Sequence, residues 1–388
     1  MGGEVAEQAD RVEAIELRRP DHVDTRGFEV AGARAVFALG VDGVKGDRGD
    51  ETDFEASTFA GGPGTALHNQ VPVLYAQAVR DALRAARTQR GEPVEDNTML
   101  FRAGGPGSTR ATTGMWGGDQ EMTIDGLRLA VRMGQTAGAS GFAVWGSDIG
   151  GYSGPIADLV LGQTPLPAFE DVLPSEPVFV RWAQFGAFTP VMEIGGRGQQ
   201  QQFWANYSAD AIDVFRTFAL LHYALVPHFD DLVRAAHDTG APALRPLALQ
   251  HPDDPAAWAA DQEFMLGDDI LVAPVTAPTV EVTDPLGTTV APVVVPPGAW
   301  VDLFNATRAT GPTVLARPTP VAEIPAYLRS GAAVGFNSRQ PEVWATAWPV
   351  AALDMPGRAG WLWAPDAAAP SRATSATAGA FRGAVVGD

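Results

Sequence analysis

Three aspartates and one arginine each follow a short apolar run of the sequence, and tryptophans stand close to them. The aspartates are Asp47, Asp119 and Asp148, and the arginine is Arg102. Charged groups of these types bind hydroxyls through charge-assisted hydrogen bonds, and indole rings offer flat apolar faces. A pair of carboxylates flanking a glycosidic bond is the usual machinery of glycoside hydrolysis. The residue types therefore favour chemistry on a neutral polyhydroxyl substrate.

Asp47 ends the segment VDGVKGD, which is typical of a strand. A carboxylate at a strand end is held rigidly, as a nucleophile must be. Lys45 has the same strand parity, so we expect its ammonium to keep Asp47 ionised. An exposed acidic loop is an equal alternative for this segment, and Glu51, Asp53 and Glu55 are expected to be solvated. The spacing of an EF-hand calcium loop is not met.

Asp119 follows Trp116 and two glycines and stands at the entrance of a predicted helix. Aspartate is a favoured N-cap, so a purely structural role is one alternative. The functional alternative is that the Trp116 indole lowers the local polarity and favours the protonated form that a general acid needs. Trp116 could equally stack on a sugar ring. Asp148 ends another apolar run, with Trp145 three residues before it.

These residues need a scaffold that brings several strand ends to one edge. Strand-like and helix-like segments alternate up to about Asp261, which indicates βα units around a parallel sheet. Five units are visible, so we predict an α/β fold that contains a partial (β/α)8 TIM barrel, with the charged residues on the loops at the carboxyl ends of the strands. The Val-, Thr- and Pro-rich segment that follows predicts an antiparallel β-sandwich domain.

The changes of pattern along the chain set the predicted domain limits. We expect a leader or frayed helix over residues 1–23, the partial barrel over 24–262, the β-sandwich over 263–345, and a further β segment with a loose tail over 346–388. Apolar spacing predicts helices at 29–39, 71–90, 124–138 and 209–238.

The composition limits the partners of this chain of 388 residues. A formal charge of −19 and a pI near 4.6 argue against nucleic acid and against an anionic membrane. The absence of cysteine excludes disulfides, thiolate metal sites and a cysteine nucleophile. No apolar run is long enough to span a membrane, and the first residues do not resemble a signal peptide, so a cytoplasmic location is favoured. We predict no metal and no cofactor.

Six segments, in order and with family-like spacing, resemble glycoside hydrolase family 31, which includes α-glucosidases and α-xylosidases. The resemblance runs from about residue 24 to 335 and identifies the five units as the C-terminal five βα units of the barrel. The segments are GVDGVKGDRGDE, FRAGGPGSTRATTGMWGGDQ, GLRLAVRMGQTAGASGFAVWGSDIGGYSG, VRWAQFGAFTPVMEI, ALRPLALQHPDD and EFMLGDDILVAPV.

The resemblance implies a retaining glycosidase that cleaves α-glycosidic bonds by double displacement. Asp47 matches the nucleophile and Asp119 the acid/base. Asp50 takes the place of a family glutamate and is expected to support the nucleophile, so it is the third catalytic candidate. The expected partner is an oligosaccharide or another α-glycoside. The predicted substrate-binding residues are Arg102, Trp116, Trp145, Asp148 and Lys45.

The next strand departs from the family pattern. The family carries an arginine and a histidine where this chain has Glu193 and Gly195. The identity of the sugar and of the linkage is therefore left open. Loss of the imidazole is expected to open space, which Arg197, Gln199 or Trp204 could fill.

The second departure is length. Only 46 residues precede Asp47, where the family has a β-sandwich and three barrel strands. We therefore expect an N-terminally truncated chain, whose missing N-terminal half is absent or supplied by an oligomer or a partner. The alternative functions are an α-transglycosylase on the same scaffold and an inactive carbohydrate-binding fragment. The presence of Asp47, Asp119 and Arg102 favours an enzyme.

Overall fold

The computed structural model of the protein describes residues 31–50, 54–55, 58–59, 62–154, 173–195, 202–276, 288–337, 353–355 and 358–363. The chain divides into two compact units, residues 1–116 and 117–388. The predicted leader at 1–23 lies outside the described residues, and the predicted domain limits stay predictions.

The first unit is a short parallel sheet with helices around it. Strands β1, β4 and β5 pair in parallel in that order, and β2 and β3 form a small antiparallel ribbon. The helices are α1 (Ala31–Ala38), α2 (Gly64–Leu67) and α3 (Val71–Arg90), and 3₁₀ turns cover His68–Gln70 and Ser108–Arg110. The strands are β1 (Gly43–Gly46), β2 (Thr58–Phe59), β3 (Gly62–Pro63), β4 (Thr98–Phe101) and β5 (Gly114–Trp116).

Helix α3 has the bounds that the apolar spacing predicts. Proline near its start needs no amide partner there, and Gly91 ends it in a left-handed conformation with φ of 72°. Its buried side chains, Val79 and Leu83 among them, pack against Met99 and Phe101 of β4. Burial of this apolar stripe holds the helix on the sheet and fixes the strand ends that follow.

The connection from β4 to β5 is irregular, since its regular structure is the 3₁₀ turn at Ser108–Arg110. Its sequence, RAGGPGSTRATT, is rich in glycine and small polar residues, which disfavour a helix. This βα unit therefore lacks an α-helix of its own in the described part of the chain.

The second unit begins with two more parallel strands and their helices and continues into antiparallel sheets. Its helices are α4 (Ile124–Ala139), α5 (Glu176–Gly186), α6 (Phe203–Asn206), α7 (Ala209–Thr239), α8 (Leu247–Gln250) and α9 (Pro255–Ala259). Its strands are β6 (Trp145–Asp148), β7 (Val191–Glu193), β8 (Leu244–Pro246), β9 (Phe264–Leu266), β10 (Ile270–Val272), β11 (Thr288–Asp302), β12 (Arg308–Pro320), β13 (Ala326–Arg329), β14 (Ala333–Gly335), β15 (Leu353–Met355) and β16 (Arg358–Trp363).

Strands β6 and β7 are parallel, with Asp148 opposite Glu193 in the register. With β1, β4 and β5 they give five parallel strands in the described residues, which is the number predicted for the partial barrel. The predicted α/β class is confirmed.

The antiparallel part contains a six-stranded sheet in the order β12-β11-β13-β10-β9-β8 and a three-stranded sheet in the order β14-β16-β15. Its core contains Met265, Leu271, Val293 and Trp300. The Val-, Thr- and Pro-rich segment thus forms antiparallel sheets, and the predicted antiparallel domain is confirmed.

A buried arginine of α5 connects that helix to the antiparallel part. Arg181 donates hydrogen bonds to the carbonyl oxygen of Glu323 at 2.8 Å and to the side chain of Gln184 at 3.0 Å. Burial, and then the charge of Arg317, lower the pKa of Arg181 to about 10.

Within the described residues, none of the helices has both the length and the apolar content that a membrane span requires.

Candidate active site

Asp47 lies directly after β1, with its carboxylate half exposed. Gly46 pairs with Phe101 of β4, and a Cβ atom at Gly46 would lie 2.5 Å from Cδ1 of that ring. Glycine therefore leaves room for the Phe101 ring just before the carboxylate. The next residue, Arg48, has a φ of 64° and donates its amide to Oδ1 of Asp47 at 2.8 Å.

Arg102 holds both acidic candidates of the first unit. It follows β4, and its amide donates to the carbonyl oxygen of Gly46 at 3.2 Å. Its guanidinium Nη1 lies 3.0 Å from Oδ1 of Asp47. Nη2 and Nε donate to Oδ1 of Asp50 at 2.9 and 3.1 Å. The structure thus brings together Asp47, Asp50 and Arg102, and Arg102 places a positive charge beside Asp47.

Tyr75 is a neighbour of Asp47 that sequence reasoning misses. Its ring meets Phe101 edge-on at 5.2 Å, and a Cβ atom at Gly49 would lie 3.1 Å from it. Burial, and then the negative charge of Asp47, raise the pKa of the Tyr75 hydroxyl. The signal in the sequence that could find Tyr75 is its position in helix α3, because the helix of a βα unit packs against its own strand.

Lys45 and Trp116 form a cation–π pair. The Lys45 ammonium lies 4.3 Å from the centroid of the indole ring, and Trp116 is only 4% exposed. Such a pair fixes both side chains. A sugar-binding role for either residue stays a prediction, as does an effect of Trp116 on Asp119.

Asp119 is exposed on the turn between β5 and α4. The N-cap of α4 is Thr123, whose hydroxyl accepts a hydrogen bond from the amide of Gly126 at 3.0 Å. The alternative that Asp119 caps the helix is therefore wrong, because the helix begins four residues later than that role requires. Its carboxylate needs another explanation.

Hydrogen bonds join the Asp119 turn to the loop that follows β6. The amide of Tyr152 donates to the carbonyl oxygen of Gln120 at 2.9 Å, and the amide of Met122 donates to that of Ser153 at 2.9 Å. The hydroxyl of Ser153 donates to the carbonyl oxygen of Asp119 at 3.1 Å. These bonds bring the segments that carry Asp119 and Asp148 together within the second unit.

Asp148 is the last residue of β6 and is 1% exposed. A Cβ atom at Gly195 would lie 2.5 Å from Cγ of Asp148 and nearer still to its Oδ1. The Asp148 carboxylate therefore occupies the place that a side chain at residue 195 would take, and the expectation of open space there is wrong. Arg197 and Gln199, offered as residues that fill it, lie outside the described residues, as do Glu51 and Asp53.

Trp145 is a core residue at 3% exposure. Its ring lies 6.2 Å from that of Phe185, and a Cβ atom at Gly134 of α4 would lie 2.9 Å from it. It packs between α4 and α5, and its predicted contact with substrate stays a prediction.

In the described part of the chain, no three His, Cys, Asp or Glu residues are grouped so that they could hold a metal ion.

Comparison with models of known protein families identifies the family of this chain. The profile of the glycosyl hydrolases family 31 TIM-barrel domain matches residues 19–232, and that of the glycosyl hydrolase family 31 C-terminal domain matches residues 240–334. The chain belongs to glycoside hydrolase family 31. The resemblance of the six sequence segments is thereby confirmed.

Curated relatives in this family carry the names of enzymes. The chain is 31% identical to a 1,3-alpha-isomaltosidase of Kribbella flavida over 324 residues, which cover 80% of this chain and 38% of the relative. It is 25% identical to an isomaltosyltransferase of Sporosarcina globispora over 311 residues, which cover 77% of this chain and 25% of the relative. The chain thus spans about a quarter to two fifths of the length of these relatives.

A solved structure supports the fold. The cycloalternan-degrading enzyme of Trueperella pyogenes, in complex with isomaltose, superposes with a TM-score of 0.62 at 28% identity. The match covers 77% of this chain and 40% of that enzyme.

Proposed function

We propose that this family 31 chain is a retaining glycoside hydrolase that cleaves α-glycosidic bonds, with Asp47 as nucleophile and Asp119 as acid/base. What supports this most directly is the half-exposed Asp47 carboxylate at the end of β1, beside the Arg102 guanidinium at 3.0 Å. The rigid strand end provides the accurate placement that covalent attack needs.

In the first step, a carboxylate oxygen of Asp47 bonds to the anomeric carbon while the bond to the leaving oxygen breaks and Asp119 gives that oxygen its proton. In the second step, Asp119 takes a proton from water, whose oxygen displaces Asp47 from the sugar. Two inversions leave the product with the configuration of the substrate. A retaining pair of this kind has its carboxyl groups about 5 to 5.5 Å apart.

Arg102 and Asp148 are proposed to bind hydroxyls of the cleaved sugar, and Asp50 to position Arg102. Lys45, Trp116 and Trp145 are proposed to contribute to substrate binding. The two bonds from Arg102 to Asp50 support this division, because they fix the guanidinium while Nη1 faces Asp47. A bidentate guanidinium is well suited to recognition of paired oxygens.

An α-transglycosylase is the second candidate, and the likeness to an isomaltosyltransferase supports it. In that case a sugar hydroxyl replaces water in the second step, with the same covalent intermediate. The ratio of free sugar to transfer product, measured with increasing acceptor concentration, separates the two functions.

The experiment is an assay of the purified full chain on aryl α-glucosides and α-xylosides, with proton NMR of the first anomer released. We expect the α-anomer first, and Asp47→Ala to lower kcat/KM by about three orders of magnitude or more. The matched control is Asp230→Ala, which removes an exposed carboxylate of α7 that pairs with Arg234 at 2.9 Å. Release of the β-anomer, or unchanged turnover in Asp47→Ala, contradicts the assignment. Binding without turnover in the unmodified chain indicates the carbohydrate-binding alternative.

A further inference from the structure

Trp204 is one of two tryptophans with most of the side chain in solvent among those whose burial the structure describes, at 61% exposure. It lies in α6, within the connection from β7 to α7. A connection of this kind begins at the carboxyl end of its parallel strand, which is the edge where (β/α) barrels bind their substrates. A flat apolar face is therefore presented on the functional side of β7.

The indole rests on a rigid aromatic base. Its neighbour Phe203 meets it edge-on at 5.3 Å and lies 5.3 Å from Phe179 of α5 and 4.8 Å from Phe215 of α7. Phe179 in turn stacks on Tyr207 at 4.6 Å. Three helices thus contribute rings to this base, so α6 is held in place although it is only four residues long.

The same base adjoins the loop that carries Asp148. The hydroxyl of Tyr207 donates to the carbonyl oxygen of Pro174 at 2.9 Å. A Cβ atom at Gly150 would lie 2.9 Å from Pro174 and 3.3 Å from Phe179. Because Gly150 is two residues after Asp148, Trp204 is connected to the loop of this substrate-binding candidate through Phe203 and Phe179. The route from Trp204 to this loop runs through two ring contacts, Trp204 to Phe203 and Phe203 to Phe179.

The other strongly exposed indole differs. Trp258 is 68% exposed, but it belongs to α9, whose Ala257 packs into the antiparallel core, and its ring nitrogen donates to the carbonyl oxygen of Pro252 at 2.9 Å. Trp258 is therefore attached to the antiparallel domain and serves as a matched control.

We propose that Trp204 is a stacking platform for a pyranose ring of an oligosaccharide, one that lies beyond the ring whose bond is cleaved. A large rigid ring with little rotational freedom gives contact area at low entropic cost. Stacking of this kind contributes equally to bound substrate and transition state, so it acts on KM and not on kcat. The inference rests on the proposed glycosidase function and adds a preference for substrates of several rings.

The test compares Trp204→Ala with the unmodified chain on an aryl α-glucoside, which has one sugar ring, and on an isomalto-oligosaccharide of four rings. We expect KM for the oligosaccharide to rise about two- to tenfold, with kcat and the aryl glucoside kinetics unchanged. Trp204→Phe should recover part of the loss, and Trp258→Ala should have no effect. An equal rise in KM for both substrates, or no rise for either, contradicts the proposal that Trp204 is a stacking platform.

Titration calorimetry with the same oligosaccharide separates this inference from the proposed function. If the unmodified chain turns over no α-glycoside, the proposed function fails, yet weaker binding in Trp204→Ala than in Trp258→Ala still supports the platform. Equal binding in the two variants, or no binding to the unmodified chain, overturns it. Because the indole is exposed, we expect both variants to unfold at the temperature of the unmodified chain.

Discussion

The backbone of Gly195 lies against the carboxylate of Asp148, so closely that a Cβ atom at residue 195 would overlap Oδ1. Asp148 is almost fully buried at the end of β6, and Gly195 follows β7, its parallel neighbour. The Asp148 carboxylate therefore takes its position because residue 195 has no side chain. Gly195 sets the place of a substrate-binding candidate.

We expect Gly195→Ala to displace the Asp148 carboxylate. Overpacking of a buried site costs about 1 to 3 kcal/mol of unfolding free energy, and kcat/KM should fall with it. Urea denaturation and kinetics of the variant measure the two effects.

A double-mutant cycle provides the control for this prediction. In an Asp148→Ala background the added methyl group has space, so Gly195→Ala should cost much less there than in the unmodified chain. Equal costs in the two backgrounds show that the two residues are independent and contradict this account of Gly195.

Arg102 is expected to act through geometry as well as charge. Arg102→Lys keeps the positive charge. Lysine, however, has a single ammonium nitrogen, whereas the planar guanidinium contacts Asp47 and Asp50 through separate nitrogens. We expect kcat/KM to fall at least about tenfold, with less than about 1 kcal/mol of stability lost, since both carboxylates are half exposed. Arg234→Lys, at the exposed pair with Asp230, is the control. Activity equal to that of the control shows that charge alone is sufficient.

Variants of Thr123 and Asp119 distinguish a role in helix capping from a role in catalysis. Thr123→Ala removes the cap of α4 and should lower the unfolding free energy by about 1 kcal/mol. Asp119→Ala should leave stability within about 0.5 kcal/mol but reduce turnover about a hundredfold or more, most for substrates with poor leaving groups. Thermal melts and kinetics measure the two effects. Loss of stability with unchanged turnover in Asp119→Ala refutes the acid/base assignment.

Buried Glu263 makes stability depend on pH. Burial raises the pKa of its carboxyl to about 8, although the amide of Val294 donates to both oxygens at 2.9 and 3.1 Å and acts in the opposite direction. The folded chain therefore binds more protons than the unfolded chain between about pH 4.5 and 8. The stability from this group is complete below that window and is lost as pH rises to about 8.

Glu263→Gln removes this titration, so its unfolding free energy relative to the unmodified chain should increase as pH rises from 5 to about 8, by a few kcal/mol. Denaturation at several pH values measures the difference. The exposed Glu55→Gln is the control and should follow the unmodified chain. A difference that does not change with pH contradicts a buried, titrating Glu263.

The predictable parts of this protein are those that depend on local pattern. Apolar spacing gives the bounds of α3, and short apolar runs that end in charge give the strand ends at Asp47 and Asp148. Burial depends on neighbours far along the chain, so the sequence cannot show that Lys45 covers Trp116 or that Trp145 packs against Phe185.

Local sequence pattern also does not determine which residue caps a helix or which residues lie in close contact. Asp119 and Thr123 are both good capping residues, and only the position of the first helical turn decides between them. The contact between Gly195 and Asp148 comes from the pairing of β6 with β7, which the sequence predicts only as a neighbouring pair.

The most direct test of the central claim is to trap the glycosyl-enzyme. The full chain is incubated with a fluorinated α-glycosyl fluoride, which forms the covalent intermediate faster than it is hydrolysed, and is then digested and sequenced by mass spectrometry. We expect one added sugar, attached to Asp47, and no addition in Asp47→Ala. A sugar on another residue, or a chain that turns over α-glycosides without forming any adduct, contradicts Asp47 as the nucleophile.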